Sequence, residues 1–306
     1  MNLRLKVILK HLAWFVLTAW RGRSFSPFQV RRGPAQGVVL NLDLRSQAAY
    51  WIGNYDSYAF ERIPFQRYVL PGSSAWDCGA FVGYYTAVLR KYAGDAGRVH
   101  AIEASSQNFR ALAELPRLNG WTNVAIHHAA VGAAHSTISF VANLGGASGP
   151  LSGRCDFGPT EQLKIEQVRC FGVDELLEHL GGQPPDFIKF DLEGAEVDAL
   201  RNGPRLFRNF RPVLLLEIHG RAALEATAEF VGQFEYGAIP VHVFPSLKHC
   251  TSQVWLESLR AHAIHQSAAM LALSYLPHML LMLPCEHPDW RAIPPLRRFS
   301  TAREHK

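Results

Sequence analysis

A strand, a tight turn and the start of a helix follow one another in Trp76-Asp77-Cys78-Gly79-Ala80-Phe81-Val82-Gly83-Tyr84-Tyr85-Thr86. Gly79 lets the chain turn sharply after the strand, and Gly83 lets the helix lie close against its neighbour. In open α/β sheets, ligands bind at the carboxyl ends of the strands, next to such turns. The stretch therefore predicts the first strand of a parallel sheet, with a cofactor-binding turn behind it.

The chain beyond this turn alternates short apolar strands with helical segments, which is typical of βαβ units and a parallel sheet. The predicted strands are Ser74–Cys78, Arg98–Glu103, Val124–Ala129, Thr137–Val141, Lys164–Phe171, Pro212–Ile218, Ala238–Phe244 and Met279–Leu283. The predicted helices are Gly83–Tyr92, Asn108–Leu118, Val173–Leu180 and Ala222–Val231.

One further predicted strand carries three charges and reads Ile188-Lys189-Phe190-Asp191-Leu192-Glu193, followed by Gly194-Ala195-Glu196. Because side chains alternate along a strand, we expect Lys189, Asp191 and Glu193 to share one face. Buried charges are tolerated only when they are paired or hydrogen-bonded. The run therefore predicts a functional site at the carboxyl end of this strand.

The turn after the first strand departs from the dinucleotide-binding pattern, because Asp77 stands where that pattern has its first glycine. An acid repels a pyrophosphate but suits a cationic amino group, and S-adenosylmethionine carries one together with a carboxylate for the helix N-terminus. Twenty residues after Gly83, Glu103 ends the second strand, where a carboxylate can accept both ribose hydroxyls. These residues favour S-adenosylmethionine, with a nicotinamide cofactor or a purely structural turn as the alternatives.

Through these motifs the chain resembles the FkbM family of S-adenosylmethionine-dependent methyltransferases. The family joins a D-x-G-A-x-x-G-x-x-[ST] turn, a strand-end Glu and a later I-K-x-D-x-E-G-A-E segment, and all three occur here in order. The resemblance covers about residues 68–245, including Arg211-Pro212 and Glu217-Ile218-His219. It implies an α/β, Rossmann-like class I methyltransferase fold: a mostly parallel seven-stranded sheet with helices on both faces.

The resemblance also implies which residues bind the cofactor. Asp77, Gly79 and Gly83 would surround the methionine moiety, Glu103 would hold the ribose, and the end of the third strand would border the adenine. The full predicted set is Asp77, Gly79, Ala80, Gly83, Tyr84, Glu103, Ala104, Ala129 and Ala130. The family usually has a proline-containing turn after the strand-end Glu, whereas this chain has Ala104-Ser105-Ser106.

Methyl transfer to a hydroxyl needs a general base or a metal, because the hydroxyl pKa is high. We assign candidate catalytic roles to Asp191, Glu193, Lys189 and His219. Lys189 with Asp191 could instead form a structural ion pair, and His219 could be an ordinary loop histidine. Glu196, in a first helical turn, is expected to be structural.

We assign no metal ligand from the sequence. Asp191 and Glu193 could hold Mg²⁺ together with waters and substrate oxygens, but no further acid stands in an obvious supporting position. Mg²⁺ is therefore allowed but not favoured.

The expected activity is O-methylation of a hydroxyl on a sugar, a lipid or a secondary metabolite. The competing interpretations are a nicotinamide-dependent oxidoreductase and an inactive cofactor-binding protein of the same fold. The acceptor should be selected by the Gly-rich loop from Gly145 to Gly158, the N-terminal arm and the C-terminal segment, which completes the sheet.

The chain of 306 residues has no linker, so we expect a single methyltransferase domain over residues 43–306, preceded by an arm over residues 1–42. The arm holds seven Lys and Arg residues and no acid. Its apolar run, Val7–Trp20, is shorter than the roughly 20 residues that span a bilayer, and the arginines after it are untypical of a signal peptide. The arm either packs on the domain or makes a peripheral membrane contact through residues 1–25.

Five scattered cysteines without metal-ligand spacing predict a reducing, cytoplasmic location. No nucleic-acid-reading motif accompanies the basic residues, so a nucleic-acid partner is not expected. The sequence leaves the oligomeric state open.

Overall fold

The computed structural model describes residues 25–142, 149–150 and 164–291. The strands are β1 (Ser26–Gln29), β2 (Val39–Leu42), β3 (Ser74–Cys78), β4 (Arg98–Glu103), β5 (Val124–His128), β6 (Ala130–Val131), β7 (Ser136–Ala142), β8 (Gly149–Pro150), β9 (Lys164–Phe171), β10 (Phe187–Phe190), β11 (Val213–Glu217), β12 (Tyr236–Pro240) and β13 (Met279–Pro284).

The helices are α1 (Leu44–Ile52), α2 (Ser57–Phe60), α3 (Phe65–Tyr68), α4 (Tyr84–Ala93), α5 (Ser106–Ala113), α6 (Leu115–Asn119), α7 (Val173–His179), α8 (Glu196–Arg201), α9 (Pro204–Asn209), α10 (Arg221–Phe234), α11 (Ser252–Ala261), α12 (Ser267–Leu271) and α13 (Pro288–Arg291). One 3₁₀ turn, Val241–Val243, follows β12.

The central sheet has seven strands in the order β12-β13-β11-β10-β3-β4-β5. The strands from β11 to β5 are parallel to one another, and β13 is antiparallel to both of its neighbours. The predicted mostly parallel seven-stranded sheet is confirmed, including its completion by the C-terminal segment. From β3 the chain first builds outward through β4 and β5 and later returns to place β10 on the other side of β3. This reversal creates a switch point between β3 and β10, where open α/β sheets bind ligands.

Helices cover both faces of the sheet, as predicted. On one face, Ile188 and Leu214 pack in a core shared with Leu176 of α7 and Phe230 of α10. On the other face, sheet residues pack in a second core shared with Leu89 of α4 and Trp255 of α11. Because both faces are buried, the central strands are almost continuously apolar, and a charged side chain within them needs a partner.

The charged strand ends earlier than the sequence predicts. β10 stops at Phe190, so the expectation that Lys189, Asp191 and Glu193 share one strand face is wrong for Glu193. The amide of Asp191 still bonds to the Cys78 carbonyl, and the chain then turns. Glu193 adopts a left-handed backbone with φ of 52° inside that turn.

Prolines limit two other predicted elements. The predicted helix Asn108–Leu118 is divided into α5 and α6, with Pro116 in the first turn of α6. The predicted strand Ala238–Phe244 is shifted towards the N-terminus and ends at Pro240. In both places proline lacks the backbone N–H group that a continuing helix or strand would need for its hydrogen bonds.

Part of the predicted arm packs on the core. β1 and β2 form an antiparallel pair, and the buried Leu40 and Leu42 join a cluster with Leu112 of α5 and Ala87 of α4. Residues 1–24 of the arm lie outside the described residues, and so does the acceptor loop predicted from Gly145 to Gly158, apart from β8.

A second sheet, ordered β6-β9-β7-β8, lies at the β5 side of the molecule and carries the Thr137–Val141 and Lys164–Phe171 predictions. Within the described ranges, no helix has the length and apolar character to cross a membrane.

Candidate active site

A cavity of about 200 Å³ opens at the switch point. The strand ends around it contribute Gly79 after β3, Glu103 at the end of β4 and Asp191 after β10. Its walls are otherwise mainly apolar. They include Tyr50, Tyr55, Phe81, Ile102, Ala104, Asn108, Ala129, Ala130, Val131, Ile138, Leu192, Glu193 and Ala195.

The turn after β3 is packed directly against the end of β10. Gly79 has φ of 80°, and a Cβ atom there would overlap the backbone oxygen of Asp191. Gly83 has φ of 86°, and its Cβ would lie 2.6 Å from Leu115. Both glycines therefore have the roles the sequence predicts: a sharp turn at Gly79 and close helix packing at Gly83.

Glu103 forms one end of the cavity and is fixed by backbone amides. Its carboxylate accepts hydrogen bonds from Phe81 N and Ser105 N, each at 2.8 Å, and from the Asn108 side chain at 3.4 Å. Burial raises the pKa of Glu103, and the two amides partly offset this increase. A carboxylate has about four lone-pair sites, so these contacts leave room for a hydroxyl donor from a ligand.

The turn without proline after Glu103 is stabilised by other means. Ser105 caps α5, accepting from the amide of Asn108. The next residue, Ser106, donates through its backbone amide and its hydroxyl to Glu166 of β9, at 2.9 and 2.7 Å. The second sheet thus holds the loop beside the cavity in place.

Lys189 is the centre of a buried charge network below the cavity. Its Nζ donates to the Gly79 carbonyl and to Asp191 Oδ2, both at 3.1 Å, and lies 3.6 Å from Asp77 Oδ1. The side chain is only 3% exposed and lies over the ring of Tyr85. Burial opposes the charge, but the carboxylates of Asp191 and Asp77 outweigh it and raise the pKa of Lys189.

Asp77 is fully buried and belongs to this network. It faces Lys189 across the β3–β10 pair, and its other oxygen accepts a 2.6 Å bond from the Thr86 hydroxyl. Burial raises the pKa of Asp77, while Lys189 and Thr86 act in the opposite direction. Its Oδ1 atom has no hydrogen-bond partner among the described residues. The carboxylate lies beneath the cavity wall and is not part of it.

His219, just past β11, is held by Glu196. Its Nδ1 lies 2.8 Å from Glu196 Oε1, and Glu196 is fully buried, accepting also from the amides of Leu192 and Gly194. Burial lowers the pKa of His219, but Glu196 and nearby carboxylates more than compensate and raise it to about 9. Glu196 therefore shapes the turn after β10 and orients His219.

Carboxylate oxygens surround the other nitrogen of His219. Its Nε2 lies 3.9 Å from Asp191 Oδ1, 3.7 Å from Glu193 Oε2 and 3.6 Å from Glu217 Oε1. Burial raises the pKa of Glu217, and the neighbouring Asp191 raises it further. Asp191, Glu217 and His219 each offer a ligand atom, and these atoms lie within 4.8 Å of one another.

The structure therefore separates the predicted site residues into two groups. The residues that reach the cavity wall are Gly79, Glu103, Ala104, Ala129, Ala130, Asp191 and Glu193. The residues behind it are Asp77, Ala80, Gly83, Tyr84, Lys189 and His219. Of these, Lys189 and His219 contact or face Asp191, and Tyr84 packs edge-on against Tyr50 and Tyr55.

Three aromatic residues of the wall, Tyr50, Tyr55 and Phe81, are absent from the predicted set, and two of them come from outside the motifs. Tyr50 of α1 and Tyr55 stack with ring centroids 3.9 Å apart, and Tyr50 also contacts Phe81 of the cofactor turn. Both precede the recognisable motifs and carry no motif of their own. The alternating apolar pattern around Leu40 and Leu42 was the available signal that this segment packs on the domain.

A seven-stranded sheet of this order, with an acidic strand end facing the turn after the first central strand, defines a class I methyltransferase fold. The family model described as "Methyltransferase FkbM domain" matches residues 77–249, more than half of the chain. The chain belongs to the FkbM methyltransferase domain family.

Two methyltransferases are among the solved structures that are similar to this chain. The FkbM methyltransferase from Methylobacillus flagellatus KT is 19% identical, with 69% of this chain and 43% of that chain covered and a TM-score of 0.41. Precorrin-6y C5,15-methyltransferase from Geobacter metallireducens GS-15 is 15% identical over 57% of this chain and 68% of that chain, with a TM-score of 0.35. The chain thus spans less than half the length of the first of these proteins. No curated protein matches the chain.

Proposed function

We propose that this protein transfers a methyl group from S-adenosylmethionine to a hydroxyl group of a sugar, lipid or secondary metabolite. The observation that carries the proposal is a cavity lined by Glu103 at the end of β4 and, on the other side of β3, by Asp191 and Glu193 after β10. A carboxylate suited to a ribose and a pair of carboxylates suited to an acceptor thus face the same small space.

The residues of the cavity wall support such a cofactor. Ile102, Ala129, Ala130 and Ile138 offer an apolar surface for a flat base beside Glu103. Gly79 leaves the turn free of side chain, and its carbonyl is held by Lys189. The acidic groups of the wall would favour a cationic ligand, whereas they would repel the pyrophosphate of a nicotinamide dinucleotide.

When bound, the cofactor supplies a methyl group on a positively charged sulfur. The residues of this chain then have to orient an acceptor in line with that group and exclude water. Tyr50 and Tyr55 narrow the cavity from the side of the N-terminal segment. Their stacked rings give an acceptor an aromatic surface in the same cavity as the acidic pair.

Glu193 is the residue we assign to take the proton from the acceptor hydroxyl. Its neighbour Asp191 is bound through Oδ2 to Lys189, and Glu193 is part of the cavity wall with its Oε2 atom 3.7 Å from Nε2 of His219. The left-handed backbone of Glu193 is a conformation that costs a non-glycine residue free energy and is often kept at functional sites.

The test is transfer of a labelled methyl group from S-adenosylmethionine into lipid, glycan and small-molecule extracts of the source cells. We expect a labelled product whose methyl group resists mild base, as an ether does. Glu193→Gln and Asp191→Asn should each lower transfer by about 10²–10⁴-fold, the range of general acid–base effects. The affinity for S-adenosylhomocysteine should change only a few-fold.

Glu257→Gln is the matched control, because Glu257 is an exposed residue of α11. It should leave both transfer and binding unchanged. Full transfer in both Glu193→Gln and Asp191→Asn would contradict the proposed role of the acidic pair.

A further inference from the structure

His219 presents one nitrogen to a ring of carboxylates at distances too long for hydrogen bonds. The Nε2 atom lies 3.6–3.9 Å from oxygens of Glu217, Glu193 and Asp191. The same Glu217 oxygen also lies 3.4 Å from Nδ1 of His278, and the spacing around Nε2 is looser than that of direct hydrogen bonds. It is, however, the spacing expected around a cation placed between them, because cis ligands at bonds of about 2.1 Å lie roughly 3 Å apart or more.

The orientation of His219 is fixed from behind. Its Nδ1 bonds at 2.8 Å to Glu196, which is fully buried and also held by the amides of Leu192 and Gly194. A carboxylate that holds one imidazole nitrogen directs the lone pair of the other outward, as it does for metal-binding histidines. Once a cation displaces the proton that the surrounding carboxylates favour on His219, the lone pair of Nε2 points towards them.

Asp191 is oriented in the same way. Its Oδ2 accepts a 3.1 Å bond from Lys189, which is itself buried, and its Oδ1 is left facing His219. Glu217 completes the group from the end of β11. One oxygen each from Asp191 and Glu217 and one nitrogen from His219 thus lie within 4.8 Å of one another.

We propose that Asp191, Glu217 and His219 bind a divalent first-row transition-metal cation behind the part of the cavity wall that Asp191 forms. The imidazole ligand favours such an ion over Mg²⁺ and Ca²⁺, which select oxygen ligands. Mn²⁺ accepts both carboxylates and imidazole, and it is the probe for the experiments below.

The role of this ion rests on the proposed function, but its binding does not. Bound through Asp191, which is part of the cavity wall, the cation would stabilise the alkoxide that develops as the hydroxyl loses its proton to Glu193. The oxygen–methyl bond then forms while the bond between methyl carbon and sulfur breaks, and the sulfur leaves as a neutral thioether. The ion is not consumed.

The direct test first removes bound metal from the full chain with a chelator. Mn²⁺ is then added, and its binding is followed by electron paramagnetic resonance. We expect one Mn²⁺ per chain, with ¹⁴N hyperfine coupling in pulsed spectra from the His219 imidazole. This coupling is measured on the unaltered protein, so it does not depend on a variant folding. Absence of Mn²⁺ binding at millimolar concentration, or binding without ¹⁴N coupling, would overturn the proposal.

Variants locate the site. His219→Asn, Asp191→Asn and Glu217→Gln should each weaken Mn²⁺ binding at least tenfold, and Glu196→Gln should weaken it about 10–100-fold through the orientation of His219. Glu257→Gln should bind Mn²⁺ like the unaltered chain. Unchanged affinity in His219→Asn and Asp191→Asn, with circular dichroism showing a folded protein, would also overturn the proposal.

S-adenosylhomocysteine affinity, measured on the same metal-free samples, separates the two proposals. Mn²⁺ binding without binding of the nucleoside would retain the metal site and contradict the proposed function. Binding of S-adenosylhomocysteine without binding of Mn²⁺ would retain the proposed function and contradict the metal site.

Discussion

Gly79 is the residue at which the cofactor turn and the charged strand touch. The sequence indicated the turn, but it gave no sign that the partner of Gly79 is the backbone of Asp191. The contact ties the position of a predicted catalytic carboxylate to a residue 112 positions earlier in the chain. Any side chain at Gly79 must push the two apart.

Gly79→Ala should therefore destabilise the protein by more than the cost of a left-handed backbone at alanine, because the new Cβ also overlaps the backbone oxygen of Asp191. Gly72 is the matched control, because it too has a left-handed φ, of 91°, but nothing within 4 Å of its Cβ position. Gly72→Ala should cost about 1–2 kcal/mol, and Gly79→Ala about 1–3 kcal/mol more from overpacking. Urea unfolding measures the free energy of unfolding of both variants. Equal losses of stability would show that the backbone of Asp191 can move away from residue 79 without cost.

Asp77 shows why residue roles are harder to predict than residue positions. Its place at the end of β3 was predicted, and the cationic group it faces in the structure is Lys189. The register of β3 against β10 creates this pair, and register is a property of two strands that are more than 100 residues apart in sequence. A motif read along one segment cannot show it.

At the scale of elements, the strands with a uniform pattern were predicted best. The predicted bounds are confirmed for Ser74–Cys78, Arg98–Glu103 and Lys164–Phe171. In these segments the different sequence signals predict the same strand. The charged strand was predicted too long, since its alternation of apolar and charged residues continues through a turn that Glu196 holds. The contact of Glu196 with His219 joins α8 to the end of β11, and no spacing in the sequence indicates it.

The pair β4 and β5 carries a histidine contact that should make stability depend on pH. His100, almost fully buried on β4, lies 3.0 Å from His127 of β5 through their ring nitrogens. Burial, helped by His127, lowers the pKa of His100 from 6.5 to about 4. Between these values the unfolded chain binds a proton that the folded chain does not, so stability falls as pH falls from about 6.5 to about 4.

His100→Asn should reduce this pH dependence. The free energy of unfolding, measured by urea titration at pH 7.5, 6 and 5, should decline less steeply in the variant than in the unaltered chain. His262→Asn, at the exposed end of α11, should keep the original slope. An unchanged slope in His100→Asn would show that the histidine pair does not control the acid sensitivity.

At the scale of the whole molecule, the N-terminal segment and the sheet share a core. Leu40 of β2 is fully buried against residues of α4, α5 and α6, and the same segment supplies Tyr50 and Tyr55 to the cavity. The family match begins at residue 77, so this part of the site lies before it. Residues 1–42 differ in composition from the rest of the chain, and the packing of β1 and β2 makes residues 26–42 part of the same core.

Leu40→Ala should consequently destabilise the entire protein, by about 2–5 kcal/mol as for other buried leucines. The fluorescence of the tryptophans, including Trp51, and the circular dichroism of the sheet should report one shared transition. Leu70→Ala removes an exposed leucine and should change stability by no more than about 0.5 kcal/mol. Two separate transitions would show that the segment folds independently.

The central claim is that the cavity between β3 and β10 binds S-adenosylmethionine, with Glu103 as the residue that recognises its ribose. Calorimetry with S-adenosylhomocysteine and with NAD tests it most directly. We expect one S-adenosylhomocysteine per chain, no heat from NAD, and at least about tenfold weaker binding in Glu103→Gln, since hydrogen bonds to a charged group contribute about 1.5–3 kcal/mol. Binding of NAD instead, or S-adenosylhomocysteine binding that Glu103→Gln leaves unchanged, would contradict it.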